Sequence, residues 1–255
     1  MITFRRNNPG DAGEPRLVFL HIPKTGGTTL LHLLRDLYPR QTHFIRNGDW
    51  RDQHDGVRAI EPKRAGKIRV YMGHTPFGIH EILPGEWLNV TILRHPVSRV
   101  ASLYHHVKQD PAHHLYARTI GRGMDMAAFA SSCAGRAVDN HQTRLLAGGP
   151  LGMDPLPGKL SDDALGSALE NLASPNTLVG IQERFDETLA LFADRLGWGR
   201  LGEIESHRVS GERTNVNAVD EATREAVEAC SPMDVRLYES ARARVEDALG
   251  AAHTP

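Results

Sequence analysis

Two apolar runs, each followed at once by a polar loop and then by a helical pattern, constrain the fold of this chain most strongly. The first run covers residues 17–22 and leads through a loop into apolar positions with helical spacing over 28–38. The second covers 87–93 and precedes a helical pattern over 97–108. Short, nearly continuous apolar runs are typical of strands buried in parallel sheets. Strands that alternate with helices predict a three-layer α/β fold, with a central parallel sheet of four to five strands covered by helices.

The rest of the chain extends this pattern. Residues 1–15 are polar and rich in Arg, Asn, Gly and Pro, so we expect a flexible N-terminal segment there and a single domain over 16–255. The other predicted elements are strands over 68–73 and 177–180, largely helical structure over 124–146, helices over 183–197, 220–230 and 233–249, and a loop or partly mobile excursion over 46–66.

Composition excludes some partners. The 30 basic and 31 acidic residues nearly balance, which gives no support for a nucleic-acid partner. No run of about 18 apolar residues occurs, so no membrane span is expected. Cys133 and Cys230 are interpreted as core residues, because two cysteines far apart in sequence make no disulfide framework. These features predict a reducing, cytoplasmic compartment.

The first loop has the chemistry of a phosphate site. Glycines let backbone N–H groups approach an anion, hydroxyls donate hydrogen bonds, a lysine adds charge, and the helix N-terminus adds free N–H groups. The predicted phosphate-binding residues are Lys24, Thr25, Gly26, Gly27, Thr28 and Thr29. The order is not that of a Walker A loop, because the lysine precedes the glycines. The alternative is an ordinary strand-to-helix turn with capping threonines.

The second loop supplies further anion-binding groups. Arg94 directly follows an apolar strand, a poor place for an unpaired charge. Ser102 lies two helical turns further on, and Arg99 is expected to brace the loop. Surface salt bridging is the alternative. Together the two loops predict a site for a nucleotide that carries two separated phosphate groups.

The order Pro-Lys-Thr-Gly-Gly-Thr-Thr, followed by Arg-x-Pro-x-x-Arg-x-x-Ser, resembles the two binding loops of sulfotransferases. More narrowly, it is similar to the carbohydrate-type group that includes heparan-sulfate 2-O-sulfotransferases and bacterial relatives. The resemblance implies a P-loop-like fold, the donor 3′-phosphoadenosine 5′-phosphosulfate and the product 3′,5′-ADP. No metal is expected, because a sulfuryl group carries less negative charge than the γ-phosphate of ATP. It also implies that Arg94 and Ser102 contact the 3′-phosphate, and that Arg213 and Thr214 belong to a late donor-binding loop. The chain lacks the membrane anchor usual in eukaryotic members, which favours a cytoplasmic enzyme of bacterial type.

The resemblance also assigns the chemistry. The catalytic base of the family is a histidine in a Gly-His position that His74 matches, and histidine accepts protons near neutral pH. We expect Lys24 to stabilise the leaving group. His80, His95, His105 and His106 compete with His74, and His105 and His106 either touch the acceptor or merely pack. Asn140 and Arg144, four residues apart in a predicted helix, either line the acceptor side or form a polar exposed face.

The predicted function is therefore transfer of a sulfuryl group to an acceptor hydroxyl on a carbohydrate, such as an oligosaccharide or glycan precursor. A lipid or small-metabolite acceptor is an alternative. A nucleotide kinase is a further alternative, but it needs acidic magnesium ligands, and Gly73-His74 and Arg94 occupy the strand ends instead. A non-catalytic nucleotide-binding module is the third alternative.

Overall fold

The computed structural model describes residues 15–132, 135–198 and 219–252. Within them, five parallel strands form one sheet in the order β2-β3-β1-β4-β5. The strands are β1 (Arg16–Leu20), β2 (Thr42–Phe44), β3 (Val70–Gly73), β4 (Trp87–Leu93) and β5 (Thr177–Ile181). This topology confirms the predicted α/β fold with a central parallel sheet.

The helices cover both faces of the sheet. Their bounds are α1 (Gly27–Leu37), α2 (Trp50–Arg58), α3 (Pro62–Ala65), α4 (Pro96–Gln109), α5 (Met126–Ser131), α6 (His141–Ala147), α7 (Gly149–Met153), α8 (Asp162–Ala173), α9 (Phe185–Leu196), α10 (Glu221–Cys230) and α11 (Pro232–Ala252). Helices α1 and α9 pack on one face, and α6, α8 and α11 pack on the other. A third apolar cluster joins α4, α5 and α10.

Strand β1 shows why the apolar runs are continuous. Leu17 and Phe19 pack into the cluster on the α1 face, whereas Val18 and Leu20 pack into the cluster on the opposite face. Because helices cover both faces of the sheet, the strand cannot alternate apolar and polar residues. A continuous apolar run is usual for a central parallel strand. Register places Leu20 of β1 beside Gly73 of β3. The carboxyl ends of these strands therefore meet at one edge of the sheet, where parallel α/β folds bind ligands.

The sequence prediction for residues 46–66 is wrong. The structure forms α2 and α3 there, and Asp49 caps α2 by accepting a hydrogen bond from the Arg51 N–H at 2.9 Å. The prediction of largely helical structure over 124–146 is also too simple. Helix α6 begins only after Asn140, whose φ of 46° interrupts the helical backbone.

The expectation of no disulfide needs correction at Cys230, although Cys230 does pack against the apolar cluster of α4, α5 and α10. Cys230 is disulfide-bonded, and the other cysteine of the chain, Cys133, lies outside the described residues. The sequence argument for a reducing compartment therefore loses its basis.

None of the helices in the described part of the chain has the length and apolar character needed to cross a membrane.

Candidate active site

The first loop connects β1 to α1 through two residues in the left-handed region. Lys24 has a φ of 70°, and Gly26, the N-cap of α1, has a φ of 83°. Positive-φ residues in a turn that enters a helix direct successive N–H groups toward one point, which makes an anion-binding concavity. The first turn of α1 carries no acidic residue that would compete with an anion.

Packing under this loop explains why position 27 requires a glycine. A Cβ at Gly27 would lie 2.3 Å from Cδ2 of His21 and 3.1 Å from Cζ of Phe19. The His21 ring in turn stacks on the Phe19 ring, with centroids 5.3 Å apart. The start of α1 is therefore seated directly on a buried imidazole.

The three threonines of the loop differ in their surroundings. Thr25 is buried, and its hydroxyl donates to the Ile22 carbonyl at 2.9 Å. Its hydroxyl proton is therefore used inside the loop, so the backbone N–H is the donor that Thr25 can offer to an anion. Thr28 is exposed and Thr29 is half-buried in the first turn of α1.

Lys24 and Arg94 are brought together by the neighbouring loops. The guanidinium of Arg94 donates from Nη1 to the Lys24 carbonyl at 3.3 Å. Burial and the nearby Arg94 charge both lower the pKa of Lys24. Burial lowers the pKa of Arg94 as well, and the Glu183 carboxylate opposes that effect. Two partly desolvated cations side by side make a strong attraction for an anion.

Helix α4 begins two residues after Arg94, and His95 is its N-cap. Pro96 occupies the first helical position, and Nδ1 of His95 accepts a hydrogen bond from the Val97 N–H at 3.3 Å. Arg99 is buried and donates to the Ala137 carbonyl at 2.7 Å, which ties α4 to the turn at Gly135–Ala137. Ser102 is half-buried further along α4.

His74 follows β3 at the same edge of the sheet. Its Nδ1 lies 2.6 Å from the His21 carbonyl oxygen. Since a carbonyl can only accept, Nδ1 is the nitrogen that donates here, and in the neutral ring Nε2 is the nitrogen with a lone pair. The side-chain amide of Gln53 holds the His74 main chain by donating to its carbonyl oxygen at 3.1 Å. The orientation and tautomer of His74 are thus set by groups that sequence reasoning missed.

His21 lies between the loop and His74. Its ring centroid is 4.5 Å from that of His74. Burial, followed by the His74 and Lys24 charges, lowers the pKa of His21 to about 3. A neutral ring therefore separates the cationic loop from His74 at neutral pH. The adjacent Pro-Lys-Thr-Gly-Gly motif marked the loop, but no pattern in the sequence assigned this role to His21.

The histidines of α4 take different positions relative to Lys24. Lys24 helps to lower the pKa of His106, after the larger effect of burial, and it also contributes at His113. The His106 and His113 rings contact edge to face, with centroids 5.5 Å apart. His105 is exposed and contacts the ring of Tyr104. The structure thus places His106, together with His113, within electrostatic reach of the loop.

The predicted acceptor residues Asn140 and Arg144 need correction. Arg144 is 0% exposed. It forms an ion pair with Asp139 and donates to the carbonyls of Gly152 and Pro155 at 3.1 and 2.8 Å. Asn140 is also buried, and its Oδ1 accepts from the Met233 N–H at 2.8 Å. Both side chains form hydrogen bonds inside the protein. Neither the interpretation that they line the acceptor side nor the alternative of a polar exposed face therefore fits.

The remaining predicted donor residues, Arg213 and Thr214, lie outside the described residues. Among the residues that the structure describes, no group of three or more His, Cys, Asp or Glu side chains is arranged to hold a metal ion.

Comparisons with known proteins bear on the identity of this site. The chain is similar to a solved structure titled "Crystal Structure of Sulfotransferase from Alicyclobacillus acidocaldarius", with 14% identity and a TM-score of 0.48, over 90% of this chain and 96% of that chain. No curated protein gives a match. The model of the sulfotransferase family matches residues 11–142, a region that contains both loops and His74. Because this match covers just over half of the 255 residues, the chain belongs to the sulfotransferase family and is a transferase of sulfuryl groups.

Proposed function

We propose that this enzyme takes the sulfuryl group from 3′-phosphoadenosine 5′-phosphosulfate and transfers it to an acceptor hydroxyl, with release of 3′,5′-ADP. The observation that carries this proposal is the pairing of Lys24 and Arg94 at the carboxyl edge of the sheet. Both effects on the Lys24 pKa, burial and the Arg94 charge, disfavour its cationic form. A bound dianion would favour the cationic form of Lys24 again, so the residues present fit a donor with phosphate groups.

The first loop is the proposed binding site for the phosphosulfate. The backbone N–H groups of Thr25, Gly26 and Gly27 and the hydroxyls of Thr28 and Thr29 supply neutral donors at a helix N-terminus. When bound there, the donor supplies the sulfuryl group that is transferred. Lys24 stabilises the negative charge that develops on the leaving phosphate oxygen, which is how fixed charges accelerate such displacements.

The second loop is the proposed binding site for the 3′-phosphate. Arg94 offers a guanidinium that forms bidentate hydrogen bonds with phosphate oxygens. Ser102 would add its hydroxyl from α4. Arg213 and Thr214 are proposed, on the family resemblance alone, to complete the donor site.

His74 is the proposed general base. With its Nδ1 proton directed to the His21 carbonyl at 2.6 Å, Nε2 is the atom that accepts the proton of the acceptor hydroxyl. The oxygen of that hydroxyl forms the new bond to sulfur as the bond from sulfur to the leaving phosphate oxygen breaks. The proton stays on His74, and the released charge stays on 3′,5′-ADP beside Lys24.

The proposed acceptor is a carbohydrate hydroxyl, on the resemblance to carbohydrate-type sulfotransferases. The Lys24 charge contributes to the lowered pKa values of His106 and His113, and these two side chains are proposed to contact the acceptor. His105 is the weaker candidate because its ring faces Tyr104. A transfer screen over oligosaccharide, lipid and small-metabolite acceptors distinguishes the carbohydrate acceptor from its alternatives.

Calorimetry tests the donor assignment. We expect 3′,5′-ADP to bind more tightly than ADP, because ADP has no phosphate for Arg94. Arg94→Ala should cost about 2–4 kcal/mol of 3′,5′-ADP binding, since it removes a charge-assisted contact from a desolvated phosphate. Arg58→Ala is the matched control, because Arg58 is an exposed arginine of α2 that pairs with Asp55. Equal affinities of the wild-type protein for ADP and 3′,5′-ADP would contradict the donor assignment.

A further inference from the structure

The Gln142 side chain binds the main chain of Arg94, although the two residues are 48 positions apart in the sequence. The Gln142 amide oxygen accepts from the Arg94 N–H at 2.9 Å, and its amide nitrogen donates to the Arg94 carbonyl at 2.9 Å. Gln142 is 0% exposed. A side-chain amide that pairs with both polar groups of one residue substitutes for a neighbouring strand, and it fixes that residue's backbone in two directions at once.

Gln142 is itself held by two helix N-termini that cap each other. The Asp234 carboxylate of α11 accepts from the N–H groups of Gln142 and Thr143 in α6, at 3.1 and 2.7 Å. In return, Asn140 at the start of α6 accepts from the N–H groups of Met233 and Asp234, at 2.8 and 3.2 Å. Each helix thereby satisfies N–H groups that have no partner within their own helix. The position of Gln142 is set by two helices together.

The N–H group that follows the Arg94 carbonyl is restrained as well. The His95 N–H donates to Glu183 Oε1 at 3.0 Å, and Glu183 Oε2 accepts from the Tyr238 hydroxyl at 3.0 Å. With these contacts, three consecutive backbone polar groups at the end of β4 are bonded to side chains rather than to another strand.

We propose that Gln142 is a positioning residue for recognition of the donor 3′-phosphate, which it controls by fixing the backbone of Arg94; this rests on the proposed function. Gln142 does not contact the phosphate. It determines where the Arg94 guanidinium emerges from the sheet, and bidentate recognition tolerates little displacement of that group.

Binding of two nucleotides by a Gln142 variant tests this role. Gln142→Met keeps a similar length and removes both hydrogen bonds, and Gln142→Ala is the second variant should the longer side chain fail to pack. We expect the Kd of 3′,5′-ADP to rise roughly 10- to 100-fold, the range seen when a group that orients a ligating side chain is removed. The Kd of ADP should stay within about threefold of the wild-type value, because ADP does not use Arg94.

Two controls separate positioning from loss of structure. Asn171→Ala removes a comparable side-chain hydrogen bond to α6, from Asn171 Nδ2 to the Leu146 carbonyl at 2.8 Å, and should leave both affinities unchanged. In an Arg94→Ala background, Gln142→Met should add no further loss of 3′,5′-ADP affinity, as for two residues that act through one contact.

The outcomes distinguish the two proposals. A wild-type protein without preference for 3′,5′-ADP over ADP overturns the donor assignment and the role of Gln142 with it. A normal wild-type preference that survives Gln142→Met overturns the positioning role alone. Equal weakening of both nucleotides, or a full further loss in the Arg94→Ala background, also overturns it, because either result indicates general loss of structure.

Discussion

Replacement of Gly27 by alanine should damage both the stability and the activity of this enzyme. The new Cβ would lie 2.3 Å from Cδ2 and 2.5 Å from Nε2 of His21, closer than non-bonded atoms approach. The His21 ring has little room to yield, because it is buried between Phe19 and His74 with centroids 5.3 and 4.5 Å away. Overpacking of this kind costs about 1–3 kcal/mol of unfolding free energy.

Activity should fall further than stability alone requires. His21 supplies the carbonyl that orients His74 at 2.6 Å, and its ring supports the first turn of α1. A shift of His21 therefore moves the proposed base and the anion-binding loop together, and a misplacement of about 1 Å can cost roughly 100-fold in rate.

Gly56→Ala is the matched control. Gly56 lies in α2, and a Cβ there would meet nothing within 4 Å. Alanine should therefore stabilise the helix by up to about 1 kcal/mol through its higher helix propensity. Urea unfolding and steady-state transfer rates measure both variants. A Gly27→Ala protein with wild-type stability and rate would refute the packing argument.

Two further substitutions test Lys24 and His21. Lys24→Ala should lower kcat by roughly 100-fold or more and weaken donor binding much less, since the charge acts mainly in the transition state. Steady-state kinetics measure this effect, with the exposed Lys63→Ala as the control. A loss confined to donor affinity would contradict the role of Lys24. The pKa of His21, held at about 3 by burial, lies below its unfolded value of about 6.5, so its stabilising contribution is present above pH 6.5 and is lost as pH falls toward 3. His21→Asn should therefore reduce the acid-side slope of unfolding free energy by about 1.4 kcal/mol per pH unit, as measured by urea unfolding between pH 7 and 4, and an unchanged slope would show that His21 titrates normally.

The parts of the fold that could be predicted are those whose signal is local. Strands β1, β3, β4 and β5 are apolar because both sheet faces are covered, and β4 and β5 match the predicted runs closely. Strand β2 was missed because it has three residues, Thr42–Phe44, at the edge of the sheet, and Phe44 is exposed. Helix α2 was missed because two of its three buried residues, Gln53 and His54, are polar.

In the candidate site, too, only the features with a local sequence signal could be predicted. The order of residues in the first loop identified an anion site, since the loop and the helix N-terminus are adjacent in sequence. The burial of Arg144 could not be predicted, because it depends on carbonyls of Gly152 and Pro155 that only the folded chain brings to it. In the same way, the contact of Gln142 with Arg94 joins residues 48 positions apart.

Sulfate transfer from labelled 3′-phosphoadenosine 5′-phosphosulfate, compared between the wild-type protein and His74→Asn, tests the central claim most directly. Asparagine keeps a hydrogen bond to the His21 carbonyl within reach but cannot accept the proton of the acceptor hydroxyl. The wild-type protein should transfer label to a hydroxyl acceptor, and His74→Asn should be slower by about two to four powers of ten, the usual contribution of a general base. Calorimetry should show that the variant binds 3′,5′-ADP as the wild-type protein does. A His74→Asn enzyme that transfers sulfate at the wild-type rate would contradict the account.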